Sequence, residues 1–277
     1  MVQDEKQTEL CLRILQTCRA ELCDLFPYLD AAFGCLRWRF GAETGFSVDG
    51  QAMYFPVRET LECYSREPAT LRRGYLHMLL HCLFLHLFKP AGEMWDLACD
   101  MAAENIVSEL NLKSVAAARQ AAQKEELAIM KSKVGQLTAE KIYHQLRSEK
   151  LPPEEIERLS ALFMADDHGL WYDEEASPSE SKEEGETDAP EEQKNPENQE
   201  NSDEQEKSPQ EEEEKTPQEE EGSRQQSKPQ TEKDTSREEI EAAWKEIAEH
   251  MQVDMETFSK ARGDTSANLL QNLRAVN

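Results

Sequence analysis

The sequence predicts an α+β fold that is mostly α, with one small β-hairpin and a long acidic segment that has no means of forming a core. Three observations carry this reading. Apolar residues recur every three or four positions through much of 4–164 and again over 240–276, the period of amphipathic helices. An Asp49-Gly50 pair sits between two short apolar runs, a hairpin signal. From Asp173 to Glu239 there is no Val, Ile, Leu, Met or aromatic residue. Such a stretch cannot bury enough apolar surface to offset chain entropy, so it is expected to be disordered.

The elements follow in order. Residues 4–26 read as a helix, with Cys11, Ile14, Cys18, Leu22 and Leu25 on one stripe and Pro27 as its stop. Phe46 and Val48 precede the Asp-Gly turn, Met53, Tyr54 and Phe55 follow it, and Pro56 ends the second strand. A helix is expected from about Pro68 to Phe88, broken by Lys89, Pro90 and Gly92. A second runs from about Trp95 to Leu110, and the short connection makes the two antiparallel neighbours. Residues 114–133 are Ala- and Lys-rich and helical by composition. Short helices are expected after Thr138 and over 153–164, the latter running into Asp166-Asp167-His168-Gly169. Beyond the acidic stretch, Ile240, Trp244, Ile247, Met251, Met255 and Phe258 form an apolar stripe, and Leu269, Leu270, Leu273 and Val276 a shorter one. The stripe over 240–258 is read equally as a cover for the N-terminal core or as a docking face for another domain. The domain reading is therefore 1–172 as the folded domain, 173–239 as an acidic linker and 240–277 as a C-terminal helical segment.

Composition bounds the function. The net charge is -26, but Asp173–Glu239 holds 26 acidic against 8 basic residues and so accounts for most of it. No basic surface suggests nucleic-acid binding. Mean hydropathy is -0.78. The seven cysteines are odd in number and include no C-x-x-C, so reduced thiols in a cytoplasmic protein are expected, not a disulfide framework or a cysteine zinc knuckle. The first residues, MVQDEKQTEL, contain no signal-peptide core, and the apolar stretch around Leu76–Phe88 is too short to span a bilayer.

The chemistry concentrates in His77-Met-Leu-Leu-His81-Cys-Leu-Phe-Leu-His86, which carries three of the six histidines. His77 and His81 lie one helical turn apart on one face, so both imidazoles reach one ion. This is the ligand half of the zincin helix motif H-E-x-x-H. Met78 stands where the motif has its glutamate general base. A third ligand has to come from elsewhere. His86 is half a turn out of phase and joins only if the helix ends near Phe84. Asp100 and Glu104, four apart on the next helix, complete a plausible cage or orient the imidazoles from behind. Cys82 and Cys99 are rotated off that face and read as packing residues. If a base replaces the missing glutamate, Glu104 is placed best, and Asp167 or His168 next should their turn fold back over the site.

The segments YLHMLLHCLFLHLF and MWDLACDMAAENIV resemble the zincin-like metallopeptidase domain of bacterial von Willebrand factor A-like proteins associated with MoxR-type AAA ATPases. In that pattern, His77, His81 and His86 match the three histidines, and Trp95, Ala98 and Asp100 match the element that follows. Glu104 falls where the family has asparagine, with Asn105 one place later. LTAEKIYHQL, ADDHGLWYD, the acidic insert and the closing KARGDTSANLLQNLRAVN are also similar. The resemblance implies a Zn2+ ion held by His77, His81 and Asp100. It further implies a downstream von Willebrand factor A-like domain beyond Asn277, an AAA ATPase partner and a peptide or protein substrate.

Three functions remain open on the sequence. The leading one is a zinc-binding, metallopeptidase-like domain with weak or no proteolysis, because Met78 offers no proton acceptor. The second is an active metallohydrolase using Glu104 or metal-bound hydroxide. The third is a metal-free helical interaction module.

Overall fold

Two helices buried along almost their whole length lie at the centre of the protein, and the computed structural model describes residues 2–41, 45–172, 235–262 and 267–276 around them. In α4 (Pro68–Leu83), every residue from Arg73 to Leu83 is buried. In α5 (Glu93–Glu109), every residue from Leu97 to Ser108 is buried. A helix apolar on all sides needs neighbours on all sides. For α4 these are α1 (Val2–Leu25), α3 (Val57–Arg66), α5 and α9 (Arg237–Arg262). For α5 they include α6 (Gln120–Val134), α7 (Ala139–Glu149) and α8 (Pro153–Phe163). The pairings Arg73 with Ser108, Arg73 and His77 with Glu104, and His77 with Asp100 run in opposite directions along the two chains, so α4 and α5 are antiparallel.

The expected hairpin is present. β2 (Ser47–Val48) pairs antiparallel with β3 (Ala52–Tyr54), Ser47 opposite Tyr54 and Val48 opposite Met53. The Asp49 carboxylate accepts the N–H groups of Gln51 and Ala52, and Gly50 takes the left-handed backbone at φ +90 that the turn requires. A third strand, β1 (Arg37–Arg39), lies parallel to β3, giving the order β1-β3-β2 with β2 at an edge. This strand and the helices α2 (Asp30–Cys35) and α3 go beyond the sequence reading.

Boundaries shift where local chemistry decides them. α4 stops at Leu83, short of the expected Phe88, because Leu85 adopts a left-handed conformation at φ 58 and His86–Phe88 forms a 3-10 turn. α6 starts at Gln120 and not at 114, after a 3-10 turn over Lys113–Val115. α7 is capped by the Thr138 hydroxyl, which accepts from the Lys141 N–H.

The C-terminal helices α9 and α10 (Ala267–Val276) belong to the same compact unit as the described residues up to 172. Trp244, Ala248, Met251 and Met255 of α9 are buried. The Trp244 indole N–H donates to the Gly50 carbonyl at 2.8 Å, and Phe258 packs edge-on against Tyr28 at 5.6 Å. Of the two readings of this stripe, it is the cover for the N-terminal core that the contacts follow. Most of the acidic stretch, 173–234, lies outside the described residues. Among the described residues, no helix is long and apolar enough to cross a membrane.

Candidate metal centre

Side chains from α4, from α5 and from an arm that follows α8 meet at one buried point. His77 and His81 come from α4, Asp100 from α5, and Asp166 from the arm, each contributing one donor atom to a group that can hold a metal ion. The arm is held by main-chain and side-chain bonds. Asp167 N–H donates to the Phe46 carbonyl at 2.6 Å, and Asp167 forms a parallel bridge with Ser47 on the edge strand. Arg119 donates to the Met164 carbonyl, and the Trp171 indole N–H to that of Val48. Extended backbone turns alternate side chains to opposite sides. Asp166 and His168 therefore face the centre, while Asp167 is exposed and caps the Gly169 N–H at 2.7 Å.

Three of the four separations have the size that coordination demands, and the fourth is a hydrogen bond between His77 and Asp100. His77 Nε2 is 3.0 Å from Asp100 Oδ1 and 3.4 Å from Asp166 Oδ1; for His81 Nε2 the distances are 3.4 and 3.6 Å. Ligands 2.0–2.2 Å from one ion at the corners of a tetrahedron stand about 3.3–3.6 Å apart. More telling are the atoms without a partner: His81 Nε2, His168 Nε2 and both Asp166 carboxylate oxygens are buried and make no hydrogen bond. Buried polar atoms are almost always paired, because an unmade bond costs about 1–3 kcal/mol per group. Several such atoms converging on one point match a bound cation, and the donor set of two imidazoles and two carboxylates fits a divalent one.

The surrounding groups orient these donors. His77 Nδ1 lies 3.0 Å from Glu104 Oε1, the arrangement in which a carboxylate fixes the tautomer of a ligating histidine. Glu104 is itself pinned, its Oε2 accepting from Arg73 Nε at 2.6 Å and its Oε1 from Arg119 at 3.2 Å. Arg73 is buried and also donates to Val115, Ser108, Gln120 and Gln123. His81 Nδ1 meets His86 Nδ1 at 2.9 Å. If His81 offers Nε2 to an ion, its Nδ1 carries the proton and donates, which places the His86 proton on its Nε2.

The charges are strongly coupled. Burial alone would lower the pKa of His77, but hydrogen bonds to Asp100 and Glu104 and the Asp166 charge outweigh it and raise it to about 9. Burial likewise lowers that of His168, yet Asp100 and Asp166 drive it well above the usual value. Burial would raise the Asp100 carboxyl, while the charge of His168, the hydrogen bond from His77 and the nearby His81 imidazole hold it well below the carboxylate range. Asp166 is lowered in the same way by His168 and His81. Glu104 falls to about 2, burial being overcome by His77, Arg73 and Arg119. His86 goes the other way: burial, and then the neighbouring histidines, keep it neutral.

Each residue singled out in the sequence now has a place. His77, His81 and Asp100 supply donors. His86 turns back toward the site because α4 ends early, yet it touches His81 Nδ1 and contributes no atom to the group. Glu104 lies on the Nδ1 side of His77, away from the atoms that converge. Met78 is fully buried in the apolar core, as are Cys82 and Cys99, and all seven cysteines are free. The sequence pattern alone does not point to Asp166 as a ligand or to Arg73 as an anchor. A partial signal for Asp166 lies in Asp166-Asp167-His168, since alternate residues of an extended segment share a face, but the choice between the paired aspartates depends on which one the edge strand engages. The class that fold and site define is a mostly helical α+β protein with a buried His/Asp group able to hold a metal ion. No protein-family model, curated protein or solved structure matches the chain.

Proposed function

We propose that this protein is a zinc-binding domain of the metallopeptidase-like kind, with weak or absent proteolysis. In this reading it serves a larger assembly with a von Willebrand factor A-like module and a MoxR-type AAA ATPase in the cytoplasm. The observation that carries the metal is the convergence of His77, His81, Asp100 and Asp166 with buried donor atoms left unpaired. The assembly and the zincin-like relationship rest on the sequence resemblance alone.

A zinc ion in this setting acts as a Lewis acid where a coordination position stays open, and as a cross-link where the protein fills them all. The chain's own residues favour the cross-link. Met78 supplies no base. Glu104 has its carboxylate engaged by His77, Arg73 and Arg119. The four donors are 0–5% exposed, which leaves a peptide no approach. A neighbouring cavity of about 500 Å³ borders Gly74, Arg119 and Ala165, but none of the four donors lines it. An active hydrolase using Glu104 therefore has less support, and the unpaired buried atoms count against a metal-free module.

Elemental analysis of the purified protein beside a His77→Ala/His81→Ala variant tests the proposal. The expected result is close to one equivalent of zinc in the wild type, none in the variant, and no peptide cleavage by either. No metal in either protein, with the variant as well folded as the wild type, would overturn it.

A further inference from the structure

Resting on this metal reading, we infer that His168, which lies outside the mutually close group of His77, His81, Asp100 and Asp166, moves in as a fifth donor when the ion binds, so that three imidazoles and two carboxylates close the centre around a divalent cation. His168 Nε2 stands 3.3 Å from Asp100 Oδ1 and 3.5 Å from Asp166 Oδ1, the two oxygens that also face His77 and His81. These contacts are near enough for hydrogen bonds, yet the atom makes none, and it is buried. A buried nitrogen this close to two carboxylate oxygens and bonded to neither is available as a ligand beside them.

The ring is held in that attitude from its other sides. It stacks on Trp171 at 3.8 Å with an interplanar angle of 17°, and the Trp171 N–H is fixed to the Val48 carbonyl. His168 Nδ1 faces Asp96 Oδ1 at 3.8 Å, and that oxygen accepts the Tyr172 hydroxyl at 2.6 Å. The Tyr172 oxygen in turn accepts the Gly92 N–H. Donors oriented by such partners reach a metal geometry with little reorganisation.

Charge selects the ion. Among the donors, Asp100 and Asp166 bring two negative charges and three neutral imidazoles bring none, while Glu104 behind them is paired with Arg73 and Arg119. A divalent ion balances the two carboxylates that would ligate it, whereas a monovalent or trivalent one does not match them in a medium of low polarity. With Asp166 and His168 both on the arm, the ion ties residues 164–172 to α4 and α5.

The test is X-ray absorption at the zinc edge on chelator-stripped protein reloaded with one equivalent of Zn2+, for wild type, His168→Ala and Asp167→Ala. The expected result is five nitrogen or oxygen neighbours with three imidazoles in the wild type and in Asp167→Ala. His168→Ala should show two imidazoles and lose its ion to a chelator faster. Two imidazoles already in the wild type overturn the fifth donor and leave the proposed metal function standing. Failure of the wild type to retain any ion overturns both. The wild-type count decides the matter even if His168→Ala does not fold.

Discussion

His77 has a carboxylate at each ring nitrogen, Asp100 at Nε2 and Glu104 at Nδ1. Without metal it can satisfy both only as the imidazolium, which is why its pKa rises to about 9. With metal, the ion replaces the proton at Nε2 and Glu104 keeps the one at Nδ1. Glu104→Gln removes that fixed acceptor and is expected to weaken zinc retention by about 10–100-fold, read by competition with a chelator. Unchanged affinity would show that Glu104 does not orient the ligand. The pH dependence of the metal-free protein follows from the same contacts. Stability contributed by His77 is fully present below its ordinary value of 6.5 and is lost as pH rises through about 9. Stability contributed by Glu104 is present above its ordinary 4.5 and is lost as pH falls through about 2. Urea titrations of stripped protein should therefore give declining midpoints on both sides of this window; a midpoint still climbing above pH 9 would contradict the His77 account. At this scale the sequence shows His77, His81 and Asp100, because helical phase puts i and i+4 together. It does not give the direction of Asp166 and His168, which is set by a bridge to a strand more than a hundred residues earlier.

The long helices are legible because burial writes a strong period into them. α1, α5 and α9 lie within a few residues of where the apolar stripes place them. The elements that go unread are short or sparsely apolar. β1 is Arg-Trp-Arg, three residues too few to establish an alternation, and four of the ten residues of α3 are charged. The early end of α4 depends on Leu85 at φ 58, a residue with no intrinsic taste for that conformation. It is the early end that brings His86 against His81. What the stripe of α9 covers is also invisible in sequence, since a period shows burial without naming the partner. Trp244 tests the answer: it is 1% exposed and bonded to the Gly50 carbonyl. Trp244→Ala is expected to destabilise the protein by about 3–5 kcal/mol in urea unfolding. A change below about 1 kcal/mol would mean that α9 is not part of the core.

For the molecule as a whole, charge and chemistry are segregated along the chain. Most of the net charge of -26 falls between Asp173 and Glu239, whereas the centre is built from residues 73–168, with α9 packed over the same core. The central claim is that one divalent ion joins α4, α5 and the arm after α8. Anomalous diffraction from crystals of zinc-loaded protein, collected on either side of the zinc absorption edge, tests it most directly. The account predicts a single strong peak in bonding contact with His77 Nε2, His81 Nε2, Asp100 and Asp166. No peak among these residues, or zinc bound only at surface carboxylates, would contradict it.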